Sequence, residues 1–221
     1  MEGLLMARRV PAILAASALA LGTMATAPAA SAAPAAKPGN TSLAEVLTSD
    51  GNTFDKNKND FDIVTEAALA VIGAKPDSPV ALLADGKTRL TVFAPTDQAF
   101  RLLAEDLTGQ TIRSEKKLFN ALVELAGVDT IETILLYHVV PGATLTSGKV
   151  LKADGAKLDT AAGKTVRVKV KMREHRAPVV TLRDKDRNDR NARAIIAALD
   201  INKGNKQIAH AVDRVLRPID L

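Results

Sequence analysis

Apolar and polar positions alternate with two different periods along this chain, and the period changes near Gly142. Upstream, Phe61, Val64, Ala68 and Ile72, with Leu69 beside them, recur at helical spacing. Asp60 or Asp62 is available to cap that helix, and Ser42 to cap a shorter one through Leu47. Residues 90–94 read as a strand broken by Pro95. Thr96 then opens a helix carrying Phe100, Leu102 and Leu103. Ser114 starts another, with Leu118, Leu122 and Leu125, which Gly127 stops. Asp129, with Glu132 three residues on, makes a capping-box-like start for 131–136. Downstream the period falls to two. Val166, Val168, Val170 and Met172 alternate with Arg167, Lys169, Lys171 and Arg173, which predicts a half-buried strand with the first set facing inward. Residues 179–182 can pair back onto it, and 194–201 and 208–216 are the last apolar segments. Helices early and strands late predict one α+β domain.

The first residues follow a different logic. Arg8 and Arg9 precede an uncharged, mostly apolar run over 10–22, and Ala30-Ser31-Ala32 offers a small-residue cleavage site. That order predicts a secretory signal peptide over 1–32. The 13-residue run is short against the ~20 residues that cross hydrocarbon. A Pro/Ala-rich tether over 33–40 and a single domain over 41–221 complete the expected organisation, with no transmembrane segment in the mature chain.

Composition narrows the chemistry. The 221 residues include 47% apolar and 25% charged positions, an ordinary globular mix. There is no Cys, which removes disulfides, thiolate metal sites and thiol nucleophiles together. Five Phe, one Tyr and no Trp supply too few rings for stacking on nucleic acid, and none is expected as a partner. The net charge of +5 falls by one when residues 1–32 are removed. The Ala- and Arg-rich composition points to a bacterium with a GC-rich genome.

Three blocks carry a likeness to a known family. Thr91-Val-Phe-Ala-Pro-Thr-Asp-Gln-Ala-Phe100, Leu135-Leu-Tyr-His-Val-Val-Pro-Gly142, and Val212-Asp-Arg-Val-Leu-Arg-Pro218 preceded by His210 resemble the signature blocks of the fasciclin (FAS1) domain. The likeness is to its secreted, single-domain bacterial type and covers nearly all of the mature chain. Asp97-Gln98 and Lys206-Gln207 depart from the family's usual residues. The resemblance implies a β-wedge or sandwich flanked by several α-helices. It also implies an extracellular or envelope-associated module that binds a cell-surface or matrix protein or glycan, without catalysis or cofactor. In some animal relatives the Tyr-His block is linked to receptor binding, which makes Tyr137 and His138 candidates here. Their setting among Leu135, Leu136, Val139 and Val140 is equally that of core residues with satisfied polar ends.

Other constellations are read from the residues themselves. No Gly-x-Ser-x-Gly elbow is present, so an exported hydrolase is only a remote alternative. His138, His175 and His210 lack metal spacing, and no metal site is expected. Asp55, Asn57, Asn59 and Glu66 occupy positions 1, 3, 5 and 12 of a calcium loop, but position 6 is Asp60 instead of the Gly that its sharp turn requires. Asp184, Asp186 and Asn188 repeat only the opening. Both stretches are expected to be solvated polar loops. Arg167, Lys169, Lys171 and Arg173 share one face of their strand at a spacing of about 7 Å. Ten basic residues stand against four acidic ones between Arg167 and Arg193. This stripe either protects a sheet edge or contacts a polyanion, which such a linear positive field favours.

Overall fold

The computed structural model describes residues 37–49 and 51–219. The segment read as a signal peptide, and the first half of the tether (33–36), lie outside the described residues. Ser42 caps α1 (Leu43–Leu47), its hydroxyl accepting from Glu45 N–H at 3.1 Å. Then follow α2 (Asp62–Ala74), a 3₁₀ turn (Pro79–Ala84), β1 (Leu90–Pro95), α3 (Asp97–Thr108) and α4 (Glu115–Tyr137). The chain continues through β2 (Val139–Pro141), α5 (Ser147–Leu151), β3 (Lys157–Asp159), β4 (Thr165–Arg173), β5 (Arg176–Arg183), β6 (Ala192–Arg193) and β7 (Gln207–Val212).

Helix α4 fuses the two helices expected at 114–126 and 131–136. Gly127, at φ 71°, forms the kink between them, a conformation that a side chain rarely tolerates. Asp129 and Glu132 do not form a capping box. They grip Lys75 at the end of α2, with Asp129 Oδ1 at 2.8 Å. The expected cap of α2 is also replaced. Phe61 holds the N-cap position without a side-chain bond, and Asp97 Oδ1 accepts from Ile63 N–H at 3.0 Å.

Among the described residues, two sheets form an α+β fold with no closed barrel. The first, in order β2-β1-β7, is mixed: β1 runs antiparallel to β2 and parallel to β7. The second, in order β3-β4-β5-β6, is antiparallel throughout. Every residue of β1 and β7 is buried, as expected for a parallel pair covered on both faces. Leu90, Val92 and Ala94 pack with Ile63, Val71 and Leu103 of the helices. Phe93 points the other way, into a second core with Val166, Val168, Val180 and Leu182. The second sheet is therefore buried on one face only.

Candidate functional site

The four-stranded sheet turns its bare face to solvent, and that face is cationic. Alternation aims Val166 and Val168 inward and leaves Arg167, Lys169, Lys171 and Arg173 exposed. Pairing adds cations from neighbouring strands. Lys157 of β3, Arg167 of β4 and Arg183 of β5 are direct register partners in one row. In the next row Lys169 opposes Thr181, which opposes Arg193 of β6. Arg173 opposes Arg176 near the hairpin end. Neighbouring strands lie about 4.8 Å apart, so like charges directly opposite cost stability. Asp154 offers partial compensation, with Oδ2 3.5 Å from Lys169 Nζ and Oδ1 accepting from Val170 N–H at 2.8 Å.

Two expectations for this strand need correction. Edge protection applies to only part of the stripe: β3 pairs with β4 over 165–167, so Arg167 lies on an interior stretch, while 169–173 extend past that pairing. Met172 does not enter the core and is 70% exposed. The register shifts between Lys171 and Arg173, and the end of the hairpin projects past the layer that would cover it. Sequence reading missed Lys157, Arg183 and Arg193 as members of the face. Their place depends on strand register, which the composition of each strand alone does not reveal.

Tyr137 and His138 lie elsewhere and inside, at 0% and 2% exposure. The tyrosine hydroxyl donates to Thr165 O at 3.0 Å. Leu216 N–H donates to His138 Nε2 at 2.8 Å, which leaves Nδ1 to donate to Ile134 O at 2.8 Å. That is one neutral tautomer, and burial pushes the ring's pKa down to about 4. His210 is held in the same way, with Nδ1 accepting from Asp200 N–H at 3.2 Å and Nε2 donating to Leu145 O at 2.7 Å. Both rings have both nitrogens engaged, so neither offers a free base. The two residues thus present no surface to a partner in this structure.

Two further groups of acidic residues lie apart from the sheet face. Arg217, 5% exposed, gathers Asp186 Oδ2 at 3.0 Å, Asp106 Oδ2 at 2.7 Å and Asp189 Oδ2 at 3.5 Å, and its own N–H donates to Asp184 Oδ2 at 2.8 Å. The second calcium-like stretch is therefore closed around a guanidinium. In the first stretch, Glu66 bonds Asn52 and takes no part in a loop with Asp55. Asp60 meets Asp62 and Asp97 instead, a grouping across 37 positions that no local spacing displays. Burial, and then the Asp60 carboxyl, push Asp97 up to about 8. An apolar cleft of about 450 Å³ between α2, α3 and α4 is lined by Phe100, Leu103, Phe119, Leu122 and Ile134, with Thr130 adding a hydroxyl. Such a lining holds no acid or base. No helix among the described residues is long and apolar enough to cross a membrane.

A family model described as the fasciclin domain matches residues 77–218. Among solved structures, the chain is similar to the FAS1 domain pair of the insect cell adhesion molecule Fasciclin I, at 20% identity and a TM-score of 0.45. The match covers 68% of this chain and 44% of that one, so the chain spans less than half of that structure's length. The chain matches no curated protein.

Proposed function

The chain belongs to the fasciclin domain family, and from that premise we propose that it is an exported interaction module whose contact surface is the cationic face of the β3–β6 sheet. Fasciclin domains are typically extracellular or cell-surface interaction modules, and the reading needs no catalytic group. The observation that carries it is the row Lys157–Arg167–Arg183, with Lys169 and Arg193 beside it. Like charges set in register weaken the sheet that holds them, and a linear polyanion lying across the rows relieves that repulsion. An acidic glycan or anionic envelope polymer fits the solvent-facing, elongated field. Export rests on residues 1–32, with the mature chain beginning at Ala33. Intact mass of protein from the medium then lacks residues 1–32, and a full-length chain retained in membranes contradicts export.

The surface is tested on an immobilised sulfated glycan. Wild type is retained at low salt and released as the Debye length shrinks from ~10 Å at 0.1 M to ~3 Å at 1 M. A variant with Lys157, Arg167, Arg183 and Arg193 changed to Gln is not retained. A control with exposed Lys56, Lys87, Lys116 and Lys117 changed to Gln has the same net charge and stays bound. Equal loss in both variants would reduce the effect to net charge and remove the sheet face from the account.

A further inference from the structure

The two acidic groups differ in what stands at their centre. Around Asp106, Asp186 and Asp189 it is the guanidinium of Arg217. Where α2, α3 and α4 begin, Arg101 is nearby, but its Nη2 is spent on Glu115 at 2.6 Å. One carboxylate oxygen from each of Asp60, Asp62 and Asp97 lies within 4.8 Å of the other two, and Asp55, Asp60 and Glu115 form a second such triad. Asp97 is fully buried. Its Oδ1 is committed to Ile63 N–H, while its Oδ2 and Oδ1 of Asp60 are enclosed with no N–H or hydroxyl donor, the Asp60 carboxyl being the side-chain neighbour of Asp97. A buried carboxylate oxygen without a donor is costly, and in proteins such charges are paired or bind metals. Asp62, Asp97 and Glu115 each open a helix, and the helix dipoles offset part of their charge. That offset supplies no donor to Asp97 Oδ2.

We propose that Asp60, Asp62 and Asp97, with Asp55 and Glu115 at the margin, bind a divalent hard cation of the calcium class. Oxygens within 4.8 Å of one another can share an ion held at about 2.3–2.6 Å. The donors are all oxygen, which suits calcium and lacks the nitrogen or sulfur that selects softer metals. The site is preplaced by the backbone. Asp97 N–H donates to Asp60 O at 3.1 Å and Gln98 N–H to Lys58 O at 2.8 Å, so the loop is already fastened to the start of α3. Exposed Asp55 and partly exposed Asp60 leave a way in for the ion. Once bound, the ion ties the loop to the first turns of α2 and α3. This site is separate from the sheet face and does not depend on its function.

The test is thermal unfolding of the full chain in about 10 mM calcium chloride and in EDTA, with sodium chloride matching ionic strength. Wild type gains about 3 °C or more in calcium, and calorimetric titration with calcium chloride gives half-saturation near 0.1–1 mM, the range of extracellular modules. Asp97→Asn keeps an amide oxygen for Ile63 N–H and loses both responses. Asp60→Asn serves the same purpose if the first variant does not fold. A wild type that melts at one temperature in calcium and in EDTA, with no heat of titration, overturns the proposal and leaves Asp60 and Asp97 as a carboxyl pair sharing a proton.

Discussion

The two sheets use their polar residues in opposite ways. In the β2-β1-β7 sheet each buried polar side chain joins distant segments. Gln207 accepts from Leu43 N–H and donates to the carbonyls of Leu82 and Asp85, each at 2.7 Å. Thr91 donates to Ala143 O at 2.8 Å and accepts from Leu145 N–H at 2.9 Å. His138 and His210 do the same for the loops that follow. In the β3–β6 sheet the polar side chains point outward and Asp154 answers Lys169 weakly, at 3.5 Å. The family blocks thus spend their polar chemistry on the fold. The proposed contact surface lies outside those blocks, where burial does not dictate identity.

The most severe way to break the inner region is Arg217→Ala. It leaves Asp186 buried without its guanidinium, and losing one partner of a buried ion pair costs about 3–5 kcal/mol. Denaturant unfolding should show that loss as a lower midpoint. His138→Ala comes next, since it orphans Leu216 N–H and Ile134 O together, at ~3 kcal/mol for the two.

Acid attacks the same region without mutation. His138 has a folded pKa of about 4, below its unfolded value of 6.5, so the unfolded chain binds more protons between those values. Its contribution is whole above pH 6.5 and is lost as pH falls towards 4. The loss is about 2 kcal/mol by pH 5, at 1.36 kcal/mol per unit. Asp184, raised to about 6 chiefly by burial, has the opposite sign and returns part of it. The His138 ring resonances should stay flat from pH 8 to 5 in an NMR titration. A midpoint near 6.5 would place the ring in solvent.

The outer region sharpens the contrast by its indifference. Changing Arg167, Lys169, Lys171 and Arg173 to Gln leaves Val166 and Val168 in the core and shifts stability by no more than about 0.5 kcal/mol per site. Relief of like-charge rows sets the direction towards stabilisation, which a melting curve resolves.

Local signals made the elements legible: the alternation of β4, the caps Ser42 and Ser114, and the Gly127 break all stand where spacing places them. What sequence did not show depends on partners brought from afar. Asp97 caps α2 from the next helix, and a short-range reading assigns that task to Asp60 or Asp62. Met172 continues the apolar period, yet the projecting hairpin gives it nothing to pack against. Of the candidate surface, sequence showed the four cations of β4 and none from the neighbouring strands. Lys157, Arg183 and Arg193 join it through pairing alone.

The most direct test sets the two regions side by side on one sulfated-glycan surface. Tyr137→Phe deletes the buried bond to Thr165 O, and the Gln variant at Arg167, Lys169, Lys171 and Arg173 strips the β4 stripe. Folded Tyr137→Phe should be retained like wild type while losing about 1 kcal/mol of stability. The Gln variant should melt at or slightly above the wild-type temperature and pass through unretained. Retention of the Gln variant at the wild-type level would contradict the assignment of binding to the β3–β6 face, and loss of retention by a folded Tyr137→Phe would place recognition in the Tyr-His block.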